Sequence, residues 1–285
     1  MTATILDGNA VLEQVKVNLR DRVKALADKG VTVGLGTLLV GDNPASAKYV
    51  EMKHRNCAEL GIASVHEHLP EDATQDEVLA AVDRFNADPA VHAYLMQYPF
   101  PKHLDFEAAS LRADPAKDVD GLHPVNLGKL VIGSPGPRPC TPAGIQALLV
   151  HYGVPIEGRN VVILGRGLTV GKPLANLLAL KEANANAAVT LLHTGVKDVA
   201  PYVREADIVV AAAGSPGIVT RAMVKPGAAV VQTGTTIVDG KYYADVEDDV
   251  REVAGWFAPV TGSVGPMTRA MLLTNVVAAA EATPR

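Results

Sequence analysis

From Arg159 onwards, short apolar runs alternate with glycine-rich turns and segments of helical character. The runs are Val161–Leu164, Val189–His193, Ile208–Ala213 and Ala228–Thr233, and glycine turns follow them. Strands that alternate with helices in this way form a parallel sheet with helices packed on both faces. The second half of the chain is therefore predicted to be a doubly wound, Rossmann-type nucleotide-binding domain.

Composition limits the class of protein. The 285 residues are 48% hydrophobic, 20% charged and only 4% aromatic, which indicates a globular α/β protein of one large or two ordinary domains. The net charge of -5 argues against nucleic acid as a main partner. We expect no membrane span, no signal peptide and no disulfide framework, because no apolar run is long enough, the N-terminus lacks a basic region, and Cys57 and Cys140 are the two cysteines. These features favour a location in the reducing cytoplasm.

The first half of the chain contains a helix that carries two chemically useful side chains. Asn43 and Pro44 suit the cap and first position of a helix, because Asn accepts from an unpaired amide and Pro needs no donor there. Tyr49 and Lys53 are four residues apart, so they lie on one face. The helix follows the apolar run Val31–Val40, whose carboxyl end is where open α/β sheets bind ligands. Without other evidence, an exposed pair on a surface helix explains the same spacing.

Other segments add polar groups at predicted strand ends and loops. The run Val91–Gln97 predicts a strand, and Gln97 lies at its carboxyl end because prolines follow. A proline-rich passage over residues 117–142 is predicted to be an irregular but ordered functional loop. The last segment, Pro266–Ala282, predicts an apolar-faced helix that folds back onto the first domain.

The glycine turn Gly165–Gly171 lies between a predicted strand and a predicted helix. Glycines permit a tight turn and close approach of the backbone to a pyrophosphate at the helix N-terminus. An NAD site has an Asp or Glu at the end of the next strand, but here that strand ends at His193 and Thr194. Arg166 in the turn and Lys197 beyond the strand instead favour a 2′-phosphate, and therefore NADP; a solvated surface arginine explains Arg166 equally well at this stage.

Six segments, in order and spacing, resemble one enzyme family. They are GDNPASAKYVEMK (41–53), QYPFP (97–101), KDVDG (117–121), PCTP (139–142), GRGLTVGKP (165–173) and GSVGPMT (262–268). The chain is identified from them as similar to the bifunctional methylenetetrahydrofolate dehydrogenase/methenyltetrahydrofolate cyclohydrolase family. It departs from the usual family pattern at Gly167, Gly195 and Gln232, where that family commonly has Ser, a basic residue and Asp.

The resemblance implies an activity and an architecture. The enzyme would oxidise 5,10-methylenetetrahydrofolate with NADP and hydrolyse the methenyl product to 10-formyltetrahydrofolate. A mixed α/β catalytic domain (1–140, completed by a C-terminal helix, 266–285) and a Rossmann NADP-binding domain (141–265) would flank a cleft. A cytoplasmic homodimer is expected, with no nucleic acid, membrane or metal involved.

The resemblance also assigns roles by position. Lys53 would handle proton transfer in the cyclohydrolase step, Tyr49 would line the folate pocket, Gln97 would orient the lysine, and Asp120 would recognise the pterin ring. The cofactor contacts would be Gly165, Arg166, Gly167, Thr194 and Thr235. The substrate contacts would be Tyr49, Gln97, Asp120, Gly262 and Pro266.

Two other classes of protein remain possible from the residues alone. A shikimate dehydrogenase-like enzyme also pairs a catalytic Lys with an Asp beside a Rossmann domain, but its anionic substrate requires more cationic or hydroxyl groups than Tyr49, Gln97 and Asp120 offer. A non-catalytic nucleotide-binding protein would have no use for Lys53 and Gln97 at converging strand ends.

The missing carboxylate at His193–Thr194 leads to a prediction about cofactor choice. We expect kcat/KM to be at least about tenfold higher with NADP than with NAD, because a charged hydrogen bond to the 2′-phosphate contributes roughly 1.5–3 kcal/mol. The rate at which methylenetetrahydrofolate reduces each cofactor, monitored by the absorbance of the reduced nicotinamide, gives the ratio of the two kcat/KM values. Equal efficiency with both cofactors would contradict the prediction.

Overall fold

The computed structural model describes residues 2–238 and 241–283. The chain divides into two compact units. Unit 1 comprises Met1–Glu13, Leu130–Ser134 and Pro139–Thr268, and unit 2 comprises Gln14–Lys129, Pro135–Arg138 and Arg269–Arg285.

In the described residues the helices are α1 (Gly8–Ala27), α2 (Pro44–Glu59), α3 (Gln75–Ala87), α4 (Phe106–Arg112), α5 (Pro124–Val131), α6 (Cys140–His151), α7 (Gly171–Ala179), α8 (Ala200–Glu205) and α9 (Val264–Ala282). The strands are β1 (Thr4–Ile5), β2 (Gly34–Val40), β3 (Ala63–Leu69), β4 (Ala93–Met96), β5 (Asn160–Leu164), β6 (Ala188–Leu192), β7 (Ile208–Ala211), β8 (Ala229–Gln232), β9 (Thr235–Val238), β10 (Lys241–Ala244) and β11 (Trp256–Ala258). Within the described ranges, no helix has both the length and the apolar character that a membrane crossing requires.

Unit 1 is built on a six-stranded sheet with the order β1-β11-β8-β7-β5-β6, in which every pairing is parallel. All four residues of β7 and of β8 are buried. Strands covered on both faces need apolar side chains at every position, which explains their valine-rich sequences. The predicted parallel, Rossmann-type sheet is thus present.

The N-terminal segment differs from the domain limits expected from the sequence. Residues 1–140 were assigned to the catalytic domain, but β1 pairs with β11 at the edge of the sheet in unit 1. Gly8 lies so close to the 262–263 segment that a Cβ on it would be 1.9 Å from the Ser263 carbonyl oxygen. A two-residue strand gives too short an apolar pattern to reveal this pairing from sequence.

Unit 2 is built on a three-stranded parallel sheet with the order β3-β2-β4. All seven residues of the central strand β2 are buried, while β3, at the edge, alternates between exposed and half-buried positions. Helix α3 begins with a capping box: the Thr74 hydroxyl accepts from the Glu77 amide, and the Glu77 carboxylate accepts from the Thr74 amide.

The passage over residues 117–142 is more regular than the sequence analysis expected. It contains α5, which starts at Pro124, and the first residues of α6. Proline is favoured at the first position of a helix because no amide donor is required there, so its abundance did not exclude helices. Residues 117–119 also pair with Tyr94 of β4, since the Tyr94 amide donates to the Lys117 carbonyl at 2.8 Å.

Helix α9 forms as predicted, and from Arg269 onwards it belongs to unit 2. The Asn275 side-chain amide donates to the carbonyls of Val119, at 2.8 Å, and Arg138, at 3.1 Å. Two loops of unit 2 are therefore attached to the helix through one side chain.

Replacement of Asn275 by Ala is expected to lower the free energy of unfolding by about 1–3 kcal/mol, because two carbonyls lose their donor. Thr274→Ala is the matched control, since the neighbouring Thr274 hydroxyl donates only within the helix, to the Ala270 carbonyl. Urea unfolding of both variants measures the difference. An equal effect from the two substitutions would show that the Asn275 hydrogen bonds contribute nothing.

Candidate active site

Helix α2 holds the predicted Tyr49 and Lys53 at the carboxyl end of β2. Gly41 ends the strand with φ of 79°, a left-handed conformation that glycine adopts without strain. The Asn43 carboxamide oxygen then accepts from the Ser46 amide at 3.1 Å, which caps the first turn. The start of the helix, and with it the position of Lys53, is therefore fixed by local sequence.

The Lys53 amine lies against Gln97. Its Nζ donates to the Gln97 Oε1 at 3.1 Å. The Gln97 backbone amide donates to the Leu38 carbonyl of β2 at 2.8 Å, and its side-chain NH₂ donates to the Tyr98 carbonyl at 2.9 Å. Because the NH₂ group is engaged there, the amide oxygen is the group that faces the lysine.

Asp118 organises the turn that carries Asp120. One Asp118 oxygen accepts from the Gly121 amide at 3.0 Å, and the other accepts from the His123 amide at 2.8 Å and the Asn126 side chain at 2.9 Å. The sequence analysis quoted this motif but gave Asp118 no role. The sequence could not show this role, because an Asp before a short turn is a common pattern. The three hydrogen bonds to Asp118 are visible only in the structure.

Lys117 anchors the same segment from its other end. Its amine donates to the carbonyls of Phe85, at 2.9 Å, and Asp88, at 2.8 Å, at the C-terminal end of α3. Partial burial lowers the pKa of Lys117, against the opposing charges of Asp114 and Asp88. This lysine supports the segment and is not available to a ligand.

The half-buried Asp120 lies near Lys53 and Asp118. Burial raises the pKa of Asp120; the Lys53 charge opposes this rise and the Asp118 charge adds to it. Tyr49 is 56% exposed and leaves its ring available for contact. The structure thus places Lys53, Gln97 and Asp120 together in unit 2, with Tyr49 one helical turn before the lysine.

Two histidines, His54 and His66, contact Thr37 of β2 near Lys53. The buried Thr37 hydroxyl is 2.8 Å from the His54 Nε2 and 2.8 Å from the His66 Nδ1. Burial lowers the pKa of both imidazoles, and for His54 the nearby Lys53 charge lowers it further. Since these rings are hydrogen-bonded within the unit, they support the helix that carries the lysine.

In unit 1 the glycine turn has the close packing that its sequence suggested. Gly165 has φ of 108°, and a Cβ on it would lie 2.0 Å from the Ala212 carbonyl oxygen. A Cβ on Gly171, the first residue of α7, would lie 1.9 Å from the Gly165 carbonyl oxygen. Around Gly167, by contrast, no atom lies within 4 Å of the position of a Cβ, so this residue leaves open space at the turn.

Arg166 and Thr194 follow neighbouring strands at matching positions. Leu164 of β5 pairs with Leu192 of β6, and each of the two residues lies two positions beyond its strand. Both side chains are exposed at the carboxyl edge of the sheet. The turn after β6 is closed by the Gly195 amide, which donates to the His193 Nδ1 at 3.1 Å. This edge therefore offers a cation and a hydroxyl beside the glycine turn.

The other predicted contacts also lie in unit 1. Thr235 is exposed at the start of β9. Gly262 has φ of 78°, and its carbonyl accepts from the Gly8 amide at 2.8 Å and the Asn9 amide at 3.2 Å. Pro266 is buried in the first turn of α9.

Comparison with known proteins gives matches over nearly the whole chain. A model of the catalytic domain of tetrahydrofolate dehydrogenase/cyclohydrolase matches residues 6–120. A model of the NAD(P)-binding domain of the same family matches residues 139–284.

Individual relatives agree with the family models. The bifunctional protein FolD of Syntrophotalea carbinolica is 53% identical over 281 residues, which are 99% of this chain and 97% of that protein. The FolD structure from Campylobacter jejuni superposes with a TM-score of 0.93 at 41% identity, covering 98% of this chain and 99% of the other. FolD of Trypanosoma brucei, solved with NADP and an inhibitor, has a TM-score of 0.91 at 38% identity, with 99% and 98% of the chains covered.

These findings confirm the predicted two-domain α/β fold and the predicted enzyme class, including an NAD(P)-binding domain, and they favour this function over both alternatives. The site roles of individual residues remain predictions. The chain belongs to the tetrahydrofolate dehydrogenase/cyclohydrolase family.

Proposed function

We propose that Lys53 transfers protons in the cyclohydrolase step of this enzyme, which oxidises 5,10-methylenetetrahydrofolate with NADP and hydrolyses the methenyl product to 10-formyltetrahydrofolate. The contact of 3.1 Å between the Lys53 Nζ and the Gln97 Oε1, beside Asp120, is the observation that supports this role. Gln97 fixes the direction of the amine through this hydrogen bond, and a group that accepts and returns a proton must be held in a fixed position.

The dehydrogenase step requires positioning more than acid–base chemistry. A hydride leaves the methylene bridge of the folate with its electron pair, and NADP supplies the acceptor when bound. The protein removes no proton, so its contribution is to hold the donor carbon at the correct distance and angle.

The cyclohydrolase step requires proton movement. The oxygen of water bonds to the cationic methenyl carbon, one water proton leaves, and one carbon–nitrogen bond breaks as that nitrogen takes up a proton. A single amine that accepts and returns a proton serves both halves of this sequence. Lys53 is the candidate, and Gln97 fixes its direction.

Asp120 is proposed to recognise the pterin ring. An ionised carboxylate accepts hydrogen bonds from two adjacent N–H groups, which an aminopyrimidinone edge presents. Within the described part of the chain, no hydrogen bond from the protein reaches this carboxylate, so it is available to a ligand. Tyr49 is proposed to line the same pocket with its exposed ring.

The proposed cofactor contacts fit a pyrophosphate and a 2′-phosphate. Close backbone packing at Gly165 and open space at Gly167 suit a phosphate at the N-terminus of α7. Arg166 and Thr194, level with each other at the sheet edge, suit the 2′-phosphate. Thr235 is proposed as a further cofactor contact, and Gly262 and Pro266 as substrate contacts.

We further propose a cytoplasmic homodimer. Residues 14–140 with 266–285 are proposed to form the catalytic domain and residues 141–265 the NADP domain, while residues 1–13 belong to unit 1. The acidic net charge and the two buried thiols support a reducing compartment and no role for nucleic acid or a membrane. Gel filtration with light scattering measures the oligomeric state.

Lys53→Met is expected to lower the rate of methenyltetrahydrofolate hydrolysis by roughly 10²–10⁴-fold, because the general acid–base group is lost. NADP binding, which depends on unit 1, is expected to remain. Lys48→Met, an exposed lysine on the same helix, is the matched control. Hydrolysis by the Lys53 variant at the rate of the Lys48 variant would exclude the proposed role.

Asp120→Asn is expected to raise KM for methylenetetrahydrofolate by about tenfold, because a charged acceptor is replaced by a neutral amide.

The raised pKa of Asp120 also predicts a pH effect on stability. The folded state holds this proton more tightly than the unfolded state, so the wild type loses stability as pH rises from the unfolded to the folded pKa.

The free energy of unfolding of the Asn variant, relative to the wild type, should therefore increase over that pH interval and then level off. Urea unfolding at a series of pH values measures this difference. Asp72→Asn, at an exposed position, controls for the loss of one formal charge. If the difference in free energy of unfolding did not change with pH, burial of the ionised Asp120 carboxylate would not destabilise the folded state.

A further inference from the structure

Asp245 is completely buried in unit 1 and its carboxylate accepts three backbone hydrogen bonds. The Oδ2 accepts from the amides of Ala213, at 2.7 Å, and Gly214, at 3.0 Å, and the Oδ1 accepts from the Ser215 amide at 2.7 Å. Three successive amides on one ionised group form a charge-assisted set, which is stronger than three neutral hydrogen bonds.

The three donors form a loop, residues 213–215, immediately beyond the carboxyl end of β7. All three residues are exposed although their amides point inward to the carboxylate. Gly214 has φ of 62°, and the Thr236 hydroxyl donates to the Gly214 carbonyl at 2.8 Å. The loop therefore exposes its side chains to solvent, while its backbone is held by hydrogen bonds to Asp245 and Thr236.

The 213–215 loop adjoins the glycine turn of the cofactor site. Strand β7 pairs with β5, and the Ala212 amide donates to the Leu164 carbonyl at 2.8 Å. The Cβ position of Gly165 is 2.0 Å from the Ala212 carbonyl oxygen and 3.1 Å from the Ala213 nitrogen. A shift of this loop would therefore displace the first residue of the glycine turn or open a gap beside it.

The position of Asp245 itself is fixed by the end of β8. The Gln232 Oε1 accepts from the Val246 amide at 2.8 Å, and its NH₂ donates to the Gly234 carbonyl. A Cβ on Gly234 would lie 1.8 Å from the Asp245 Oδ2, so only glycine leaves room for the carboxylate. Gln232 and Gly234 thus hold the residue that in turn holds the loop.

We propose that Asp245 is a positioning residue for NADP. Through three amide hydrogen bonds it fixes the 213–215 loop as the wall beside the glycine turn, so the cofactor meets a preformed surface. The proposal rests on NADP binding by unit 1 and is independent of the role of Lys53. A preformed wall lowers the cost of ordering the site when the cofactor binds.

The test compares the two activities of the same enzyme. In Asp245→Asn, the NH₂ group or the neutral oxygen replaces one charged acceptor, and we expect KM for NADP to rise about tenfold or more. Cyclohydrolase kcat, measured on methenyltetrahydrofolate without nucleotide, should stay within about twofold of wild type. Fluorescence titration with NADPH should show the same weakening as KM.

Two further variants separate positioning from a general loss of structure. Asp207→Asn removes a carboxylate at the opposite end of β7, where it accepts from the Asn160 amide at 3.0 Å and the Lys225 amine at 2.7 Å. It should leave KM for NADP unchanged. Thr236→Val removes the second attachment of the loop without burying an unpaired charge, and should raise KM for NADP by roughly two- to tenfold.

Each outcome decides the proposal. A rise in KM for NADP with Asp245→Asn and Thr236→Val, but not with Asp207→Asn, supports it. An unchanged KM for NADP, an equal rise in the Asp207 variant, or a parallel fall of cyclohydrolase kcat overturns it. If Asp245→Asn does not fold, the Thr236 and Asp207 variants decide alone.

Discussion

The hydrogen bond from the Lys53 amine to the Gln97 amide oxygen is the contact on which the proposed chemistry depends. Two strands and one helix are needed to form it: β2 leads into α2, and Gln97 follows β4 while bonding back to β2. Because β2 and β4 are parallel neighbours, their carboxyl ends meet at one edge, and residues 44 positions apart become partners. The contact fixes the direction of the amine, which the proposed proton transfer requires.

The same rule positions the proposed cofactor contacts in unit 1. Parallel pairing of β5, β6 and β7 in equal register brings the glycine turn, Thr194 and the 213–215 loop to one edge of the sheet. These loops are short, and Gly165, with φ of 108°, and Gly214, with φ of 62°, adopt left-handed conformations that favour glycine. The residues proposed to bind substrate and cofactor thus lie at the carboxyl edges of two separate parallel sheets.

The sequence predicted the elements with strong local signals. The apolar runs of the parallel strands and the Asn43–Pro44 helix start depend on neighbouring residues, and both are present. Pairings between strands were missed, namely β1 with β11 and β9 with β10, because they depend on residues outside each strand. Helix α5 was missed because the prolines of its segment indicated irregular structure. The residue pattern indicated Lys53 and Gln97, but their proposed roles came from a resemblance, since their spacing alone does not distinguish a site from a surface.

Asp120 and Asp245 show why burial alone does not indicate what an aspartate does. Asp245 is fully enclosed, yet three backbone amides satisfy its charge, so it has no capacity left for a ligand and acts on the chain around it. Burial raises the pKa of Asp120, and the charge that opposes this comes from Lys53, a group proposed to be catalytic. The two aspartates differ in their hydrogen-bond partners. A carboxylate that accepts hydrogen bonds from the protein positions its loop, whereas a carboxylate that accepts none from the protein is suited to bind a substrate.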